Sequence, residues 1–273
     1  MEKIVLILAS LLAWLPVWGQ DTLVVNSANL HCADTVLVFS PSGRAGERGV
    51  PTLFLLHGFG GDYASWSEHA DLQSHCDTFG FRIVCPDGFR DSWYLNNADP
   101  SKMQWRNFFW EELWPLLDSC YGLEVDKTFI DGLSMGGHGA INLFLDHPER
   151  FRGAGSMSGV LVLKYTGTSK RLIPEILGVE SIEDPVCEWE SAVERLAANS
   201  GSLVEAGSPK LLVVSCGTED RLLVASQEFV ARCQSLGIPC TATYTPGAHT
   251  WPYWVSVLPQ HLALFGELTS TVR

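Results

Sequence analysis

Gly132-Leu133-Ser134-Met135-Gly136-Gly137 sets a serine between glycines where a short apolar run gives way to helical spacing. This is the Gly-x-Ser-x-Gly pattern, in which a strained strand-to-helix turn pushes a serine hydroxyl clear of a sheet edge. Gly132 and Gly136 answer a steric demand, because side chains two residues either side of the serine would collide with the turn. In a chain of 273 residues with 25 glycines, chance supplies such a match roughly 0.1 to 0.2 times. The surrounding sequence must therefore decide what the pattern means.

A serine hydroxyl attacks a carbonyl only with a base within hydrogen-bond reach and an acid to orient that base. Behind an elbow of this kind the expected chain order is Ser, acid, His. His138, His147, His249 and His261 follow Ser134. His249 lies in the turn-forming stretch Pro246-Gly247-Ala248-His249-Thr250-Trp251, just after the apolar run Thr241 to Thr245, and is the predicted base. His138 stands one helical turn past Ser134, His147 precedes the helix-ending Pro148, and His261 falls in the last helical stretch. Those three read as structural.

The acid is expected after the run Lys210 to Cys216, in Gly217-Thr218-Glu219-Asp220-Arg221. Glu219 and Asp220 are both available. The shorter carboxylate in a tight turn is the more rigid orienter, so Asp220 is the predicted acid. Asp131 sits on the strand before the serine and is poorly placed to reach His249. Two N–H donors are needed for the oxyanion of an acyl-transfer intermediate. Met135 supplies one at the positive end of the following helix. Phe59, within His57-Gly58-Phe59-Gly60-Gly61, supplies the other, with glycines letting the backbone approach. This chemistry needs no cofactor, and the chain has no Cys-x-x-Cys or His-x-x-x-His pair that would suggest a zinc site.

The elements that must hold these residues alternate. Apolar runs at Thr35 to Phe39, Thr52 to Leu56, Arg82 to Cys85, Thr128 to Ile130, Gly153 to Met157, Lys210 to Cys216 and Thr241 to Thr245 read as strands. Helical spacing over Trp105 to Cys120, Met135 to His147, Glu188 to Asn199, Leu223 to Leu236 and Tyr253 to Leu264 predicts helices between most of them. Such alternation implies a mostly parallel sheet covered on both faces, with its chemistry at the carboxyl ends of the strands. The stretch 159–209 is longer than an ordinary connection and reads as a small cap insertion. Trp105, Phe108, Phe109, Trp110 and Trp114 share helical spacing and read as core, while Trp251 and Trp254 are expected to anchor the terminal helix.

Residues 1–19 combine Lys3 with an apolar run too short to span a bilayer and a small-residue end, the pattern of a secretory signal peptide. Residues 20–273 are then expected to form one domain, secreted or periplasmic. A net charge of −13 argues against nucleic acid or an acidic membrane surface as partner. Eight cysteines in an exported chain make disulfides possible, although Cys85 and Cys216 end core strands, where a thiol serves as a small hydrophobe.

The motifs together, His57-Gly58-Phe59-Gly60-Gly61 with Trp66, Pro86-Asp87-Gly88 with Ser92-Trp93-Tyr94, the Ser134 elbow continuing into His138-Gly139-Ala140, and His249-Thr250-Trp251 with Trp254, resemble the esterase D family of α/β-hydrolases. The resemblance runs from about Leu30 to Phe265. It implies an α/β-hydrolase fold, a Ser134, Asp220 and His249 triad, and Phe59 and Met135 as oxyanion donors. It adds Trp93 and Tyr94 as residues bordering the acyl pocket. The expected activity is that of a serine carboxylic-ester hydrolase releasing acetyl, feruloyl or other short acyl groups from a small ester or acylated saccharide. The same residues suit an acyltransferase, or a thioesterase like the family's S-formylglutathione hydrolases. A silent carbohydrate-binding protein would lack a triad member, and none is missing.

Overall fold

Strand runs that are apolar at every position need cover on both faces, and a sheet with helices on each side provides it. The computed structural model describes residues 20–167, 170–204 and 210–270. Its strands are β1 (Gln20–Ser27), β2 (Cys32–Phe39), β3 (Thr52–Leu56), β4 (Arg82–Cys85), β5 (Thr128–Gly132), β6 (Gly153–Met157), β7 (Leu211–Gly217) and β8 (Cys240–Thr245). They form one sheet in the order β1-β2-β4-β3-β5-β6-β7-β8. β1 and β2 form an antiparallel hairpin, β2 pairs antiparallel with β4, and every other neighbour is parallel.

The helices are α1 (Ser65–His69), α2 (Leu72–Phe79), α3 (Trp105–Asn107), α4 (Trp114–Tyr121), α5 (Met135–Asp146), α6 (Leu172–Leu177), α7 (Pro185–Trp189), α8 (Ala192–Val204), α9 (Leu223–Leu236) and α10 (Trp251–Ser270). Successive strand residues face opposite sides. Phe54 and Leu56 of β3 join one core cluster with residues of α3, α4, α5, α8 and α9, whereas Leu53 and Leu55 join another with α1, α2 and α10. Trp114 stacks on Phe54 at 5.6 Å in the first cluster, as core packing of the aromatic stretch requires.

Several elements differ from expectation for identifiable reasons. Trp105 to Cys120 is helical but contains a π turn over Phe108–Leu113, and Phe108, Phe109 and Leu113 are all buried. The helix expected over Glu188 to Asn199 is broken into α7 and α8, with Ser191 between them accepting the Leu163 N–H at 3.0 Å through its hydroxyl. β1 was not expected. It is an edge strand with every residue but the last exposed or half-buried, so it carries little apolar signal. α2 buries only Leu72 and Cys76, and its ends are set by Asp71, which accepts the Ser74 N–H at 2.9 Å, and by Gly80 at φ 73°.

Within the segment read as a cap, α8 packs on α5 and α9, and Ile173, Cys187, Ala192 and Leu196 belong to the core of that face. The eight cysteines are unbonded. The proposed signal segment, 1–19, lies outside the described residues, and among those described no helix is long and apolar enough to cross a membrane.

Candidate active site

Four strand ends converge on one cleft. Ser134 follows β5, Asp220 follows β7, His249 follows β8, and the Gly58-Phe59-Gly60-Gly61 turn follows β3. The cleft has a volume of about 780 Å³, and Ser134, His249, Gly58, Phe59 and Leu133 are among the residues lining it.

Ser134 holds φ 53° and ψ −114°, a conformation that L residues adopt only under constraint. The constraint is visible on both sides. Leu133 N–H donates to Leu56 O at 3.2 Å and Ser134 N–H to Met157 O at 3.0 Å, extending the pairing past the end of β5. A Cβ on Gly132 would lie 2.5 Å from the Gly136 carbonyl, and one on Gly136 would strike the Leu56 and His57 carbonyl oxygens. The glycine spacing is therefore what lets α5 start so close to β3 and β5.

His249 Nε2 lies 2.9 Å from Ser134 Oγ, and His249 Nδ1 lies 2.8 Å from Asp220 Oδ2. A carboxylate accepts only, so Nδ1 carries the proton and Nε2 is left to accept the serine O–H. Asp220 is buried, which works against its ionisation, but the hydrogen bond from His249 and the Leu222 N–H, donated to Oδ1 at 2.9 Å, outweigh that burial. Its carboxyl is held below the usual range. Glu219 has separate work. Its Oε2 accepts the Gly247 N–H at 2.8 Å and pins the loop that carries His249.

The β3 turn is built from a histidine. Gly88 N–H donates to His57 Nε2 at 2.8 Å, so the ring proton is on Nδ1 and is donated to Gly58 O at 2.8 Å. Gly60, at φ 82°, donates to Arg90 O at 2.7 Å. A Cβ on Gly58 would meet Leu133 and lie 3.4 Å from Ser134 Cβ, which shows how near this backbone comes to the serine. Among the described residues the Phe59 N–H has no protein acceptor. Met135 opens α5, where first-turn N–H groups have no carbonyl within the helix.

Trp93 and Tyr94, expected at the acyl pocket, are elsewhere. Both are buried, and neither lines the cleft. Tyr94 O–H donates to His57 O at 2.8 Å from beneath the turn, and the Trp93 ring meets His138 edge-on at 5.7 Å. Both hold φ near 57°, and both rings are packed into the core. His138 is fully buried, and burial pushes its pKa down to about 3, so it is neutral packing. No described residue of 159–209 lines the cleft.

The cleft wall includes Asp62, Glu68, His69 and Arg221, to which sequence reasoning gave no role, together with Trp251 and Trp254, which were expected only to anchor the terminal helix. Trp251 lies flat on His69 at 4.0 Å, and Trp254 meets His249 edge-on at 5.0 Å. The two tryptophans thus seat α10 and wall the site at once. Their position directly after His249 was the available signal.

Residues 27–265 match the family described as "Putative esterase". The chain is 26% identical to an acetyl esterase of Caldicellulosiruptor saccharolyticus over 74% of its own length and 78% of that protein's. It is 23% identical to the S-formylglutathione hydrolase of Mus musculus over 87% and 89% of the two chains. Among solved structures, a ferulic acid esterase superposes with a TM-score of 0.77 at 22% identity, covering 92% of this chain and 99% of the other. The sheet order, helix placement and these likenesses are those of the α/β-hydrolase fold.

Proposed function

The chain belongs to the esterase family, and on that premise we propose that it is an exported serine esterase releasing short acyl groups, acetyl foremost, from an acylated saccharide. The observation that carries this reading is the unbroken hydrogen-bond chain Ser134, His249, Asp220 at the floor of an open cleft. Ser134 Oγ attacks the ester carbonyl as His249 Nε2 takes its proton. Asp220 holds the imidazole and stabilises its charged form. The oxyanion is met by the Phe59 and Met135 N–H groups. His249 returns the proton to the departing alkoxide, and water, activated by the same imidazole, releases the acid from the acyl-serine. No metal or cofactor takes part in these steps.

Support for a short acyl group comes from the acetyl esterase relative, and support for a saccharide alcohol from the cleft wall. Trp251 and Phe59 offer ring surface beside Asp62 and Glu68, which can accept from hydroxyls. The same two carboxylates oppose a glutathione thioester, whose leaving group carries carboxylates of its own. Residues 1–19 act as the export signal in this reading, with 20–273 as one hydrolase domain; the exported protein should begin near Gln20 by N-terminal sequencing.

The test is hydrolysis of p-nitrophenyl acetate, p-nitrophenyl butyrate, methyl ferulate and acetylated xylan by wild type and Ser134→Ala. Loss of a triad member should cut turnover by about 10⁶-fold, leaving a small residual over water. Wild-type rates in Ser134→Ala would overturn the mechanism. Cleavage of butyrate with acetylated xylan and ferulate untouched would overturn the saccharide assignment. Transfer to an added sugar alcohol, seen as acylated sugar in place of free acid, would make the protein a transferase.

A further inference from the structure

The elements that flank the site carry a second chain of the same residue types. Asp131 Oδ2 is 2.6 Å from His261 Nδ1, and His261 Nε2 is 2.7 Å from Ser215 Oγ. All three are buried, and none lines the cleft. Asp131 Oδ1 accepts the Gly132 N–H at 2.7 Å, so both carboxylate oxygens and both ring nitrogens have partners. Gly155 on β6 leaves the room this carboxylate occupies, since a Cβ there would run into it.

The placement is what gives the cluster a role. Asp131 is on β5, three residues before Ser134. Ser215 is on β7, five before Asp220. His261 is on α10, the helix that begins two residues after His249. The strands that lead into Ser134 and Asp220 and the helix that follows His249 each contribute one member of this cluster. The sheet alone does not join them: β5 and β7 are separated by β6, and α10 lies on the face. Apolar packing is tolerant of small slides, whereas a hydrogen-bonded polar cluster in a dry core has one geometry.

We infer that Asp131, His261 and Ser215 form a positioning clamp, with His261 at its centre, that sets α10 against β5 and β7 and so fixes His249 between Ser134 and Asp220. Buried as it is, Ser215 is not a second nucleophile. The clamp acts on catalysis only through the triad's geometry, and it rests on Ser134, Asp220 and His249 being the reacting groups. A misplacement on the order of 1 Å can cost about 10²-fold in rate.

The experiment compares His261→Leu, His261→Gln and Ser215→Ala with wild type on p-nitrophenyl acetate. Active sites are titrated with a fluorophosphonate, so that kcat is expressed per reactive serine. A purely structural loss lowers the titratable fraction and Tm and leaves per-site kcat alone. The clamp predicts a per-site kcat about 10-fold to 100-fold lower in His261→Leu with KM within about twofold, a transition-state effect. His261→Gln, which keeps a donor and an acceptor, should recover most of that loss. Wild-type per-site kcat in His261→Leu overturns the clamp. Should that variant fail to fold, Ser215→Ala decides, a fall of about threefold supporting the clamp and an unchanged value overturning it. Ser134→Ala runs alongside: if it still turns over, the triad reading fails, whatever the clamp variants do.

Discussion

The molecule holds two Asp-His-Ser chains with nearly the same internal distances, and only one of them meets solvent. In both, a carboxylate faces Nδ1 and a serine hydroxyl faces Nε2, at 2.8 and 2.9 Å in one and 2.6 and 2.7 Å in the other. Residue types and hydrogen bonds therefore do not make a nucleophile. Ser134 stands on a turn at φ 53° with a cleft above it and unpaired N–H groups beside it. Ser215 stands in the middle of a regular strand, pointing into a helix. What separates them is backbone strain, access and a place for negative charge to develop, and each of these is supplied by glycines and strand ends rather than by the three side chains.

The largest contrast comes from making one substitution in both chains. Asp220→Asn leaves an amide where His249 Nδ1 needs an acceptor, favours the wrong tautomer and should lower kcat by about 10⁴-fold with little change in Tm. Asp131→Asn weakens the buried hydrogen bond to His261 and should cost about 1.5–3 kcal/mol of stability, with a per-site kcat loss nearer tenfold. Steady-state kinetics with titrated sites and thermal melts on both proteins check this. Equal activity losses would erase the distinction between reacting and positioning clusters. Glu219→Gln, which loosens the Gly247 contact without touching the ring, should fall far short of Asp220→Asn, and the reverse would transfer the acid's role.

How far the two chains were legible in the sequence follows from the same contrast. Ser134, Asp220 and His249 could be found because each follows a strand and because the elbow's glycines leave a fixed spacing. Gly136→Ala sharpens that point: the added methyl meets the carbonyl oxygens of Leu56 and His57, which are backbone and cannot turn aside. Such overpacking should cost about 1–3 kcal/mol in stability, and with the elbow displaced kcat should fall by more than about tenfold. A Gly136→Ala enzyme with normal kcat and Tm would show that the turn tolerates what the geometry forbids. The Asp131, His261 and Ser215 chain leaves no such trace, because its members sit 46 to 130 residues apart on ordinary strands and a helix. Each could be dismissed singly. Trp93 and Tyr94 differ in the opposite way: their loop follows a strand, but both rings are buried and neither lines the cleft. β1 and α2 were missed since neither buries a continuous apolar face.

A third buried aspartate supplies the control that both chains lack. Asp34 has no histidine opposite it. Its Oδ1 takes only the Asp87 N–H at 3.3 Å, its Oδ2 has no partner, and burial raises its pKa to about 8, opposed by that single Asp87 hydrogen bond and aided to a lesser degree by the Asp87 charge. Asp220, also buried but facing His249, is shifted the other way. For Asp34 the folded state binds a proton that the unfolded chain gives up near pH 4, so its contribution to stability is whole below pH 4 and lost as pH rises through about 8. Asp34→Asn cannot ionise and should therefore gain on wild type across that window, by up to about 1.4 kcal/mol per pH unit. For a domain of this size that is roughly 3 °C in Tm per unit. Melts of the two proteins at pH 5 and pH 8 measure it: a Tm difference that widens toward pH 8 shows a carboxyl kept neutral for want of a histidine, and a constant difference would mean that Asp34 finds compensation its neighbours do not display.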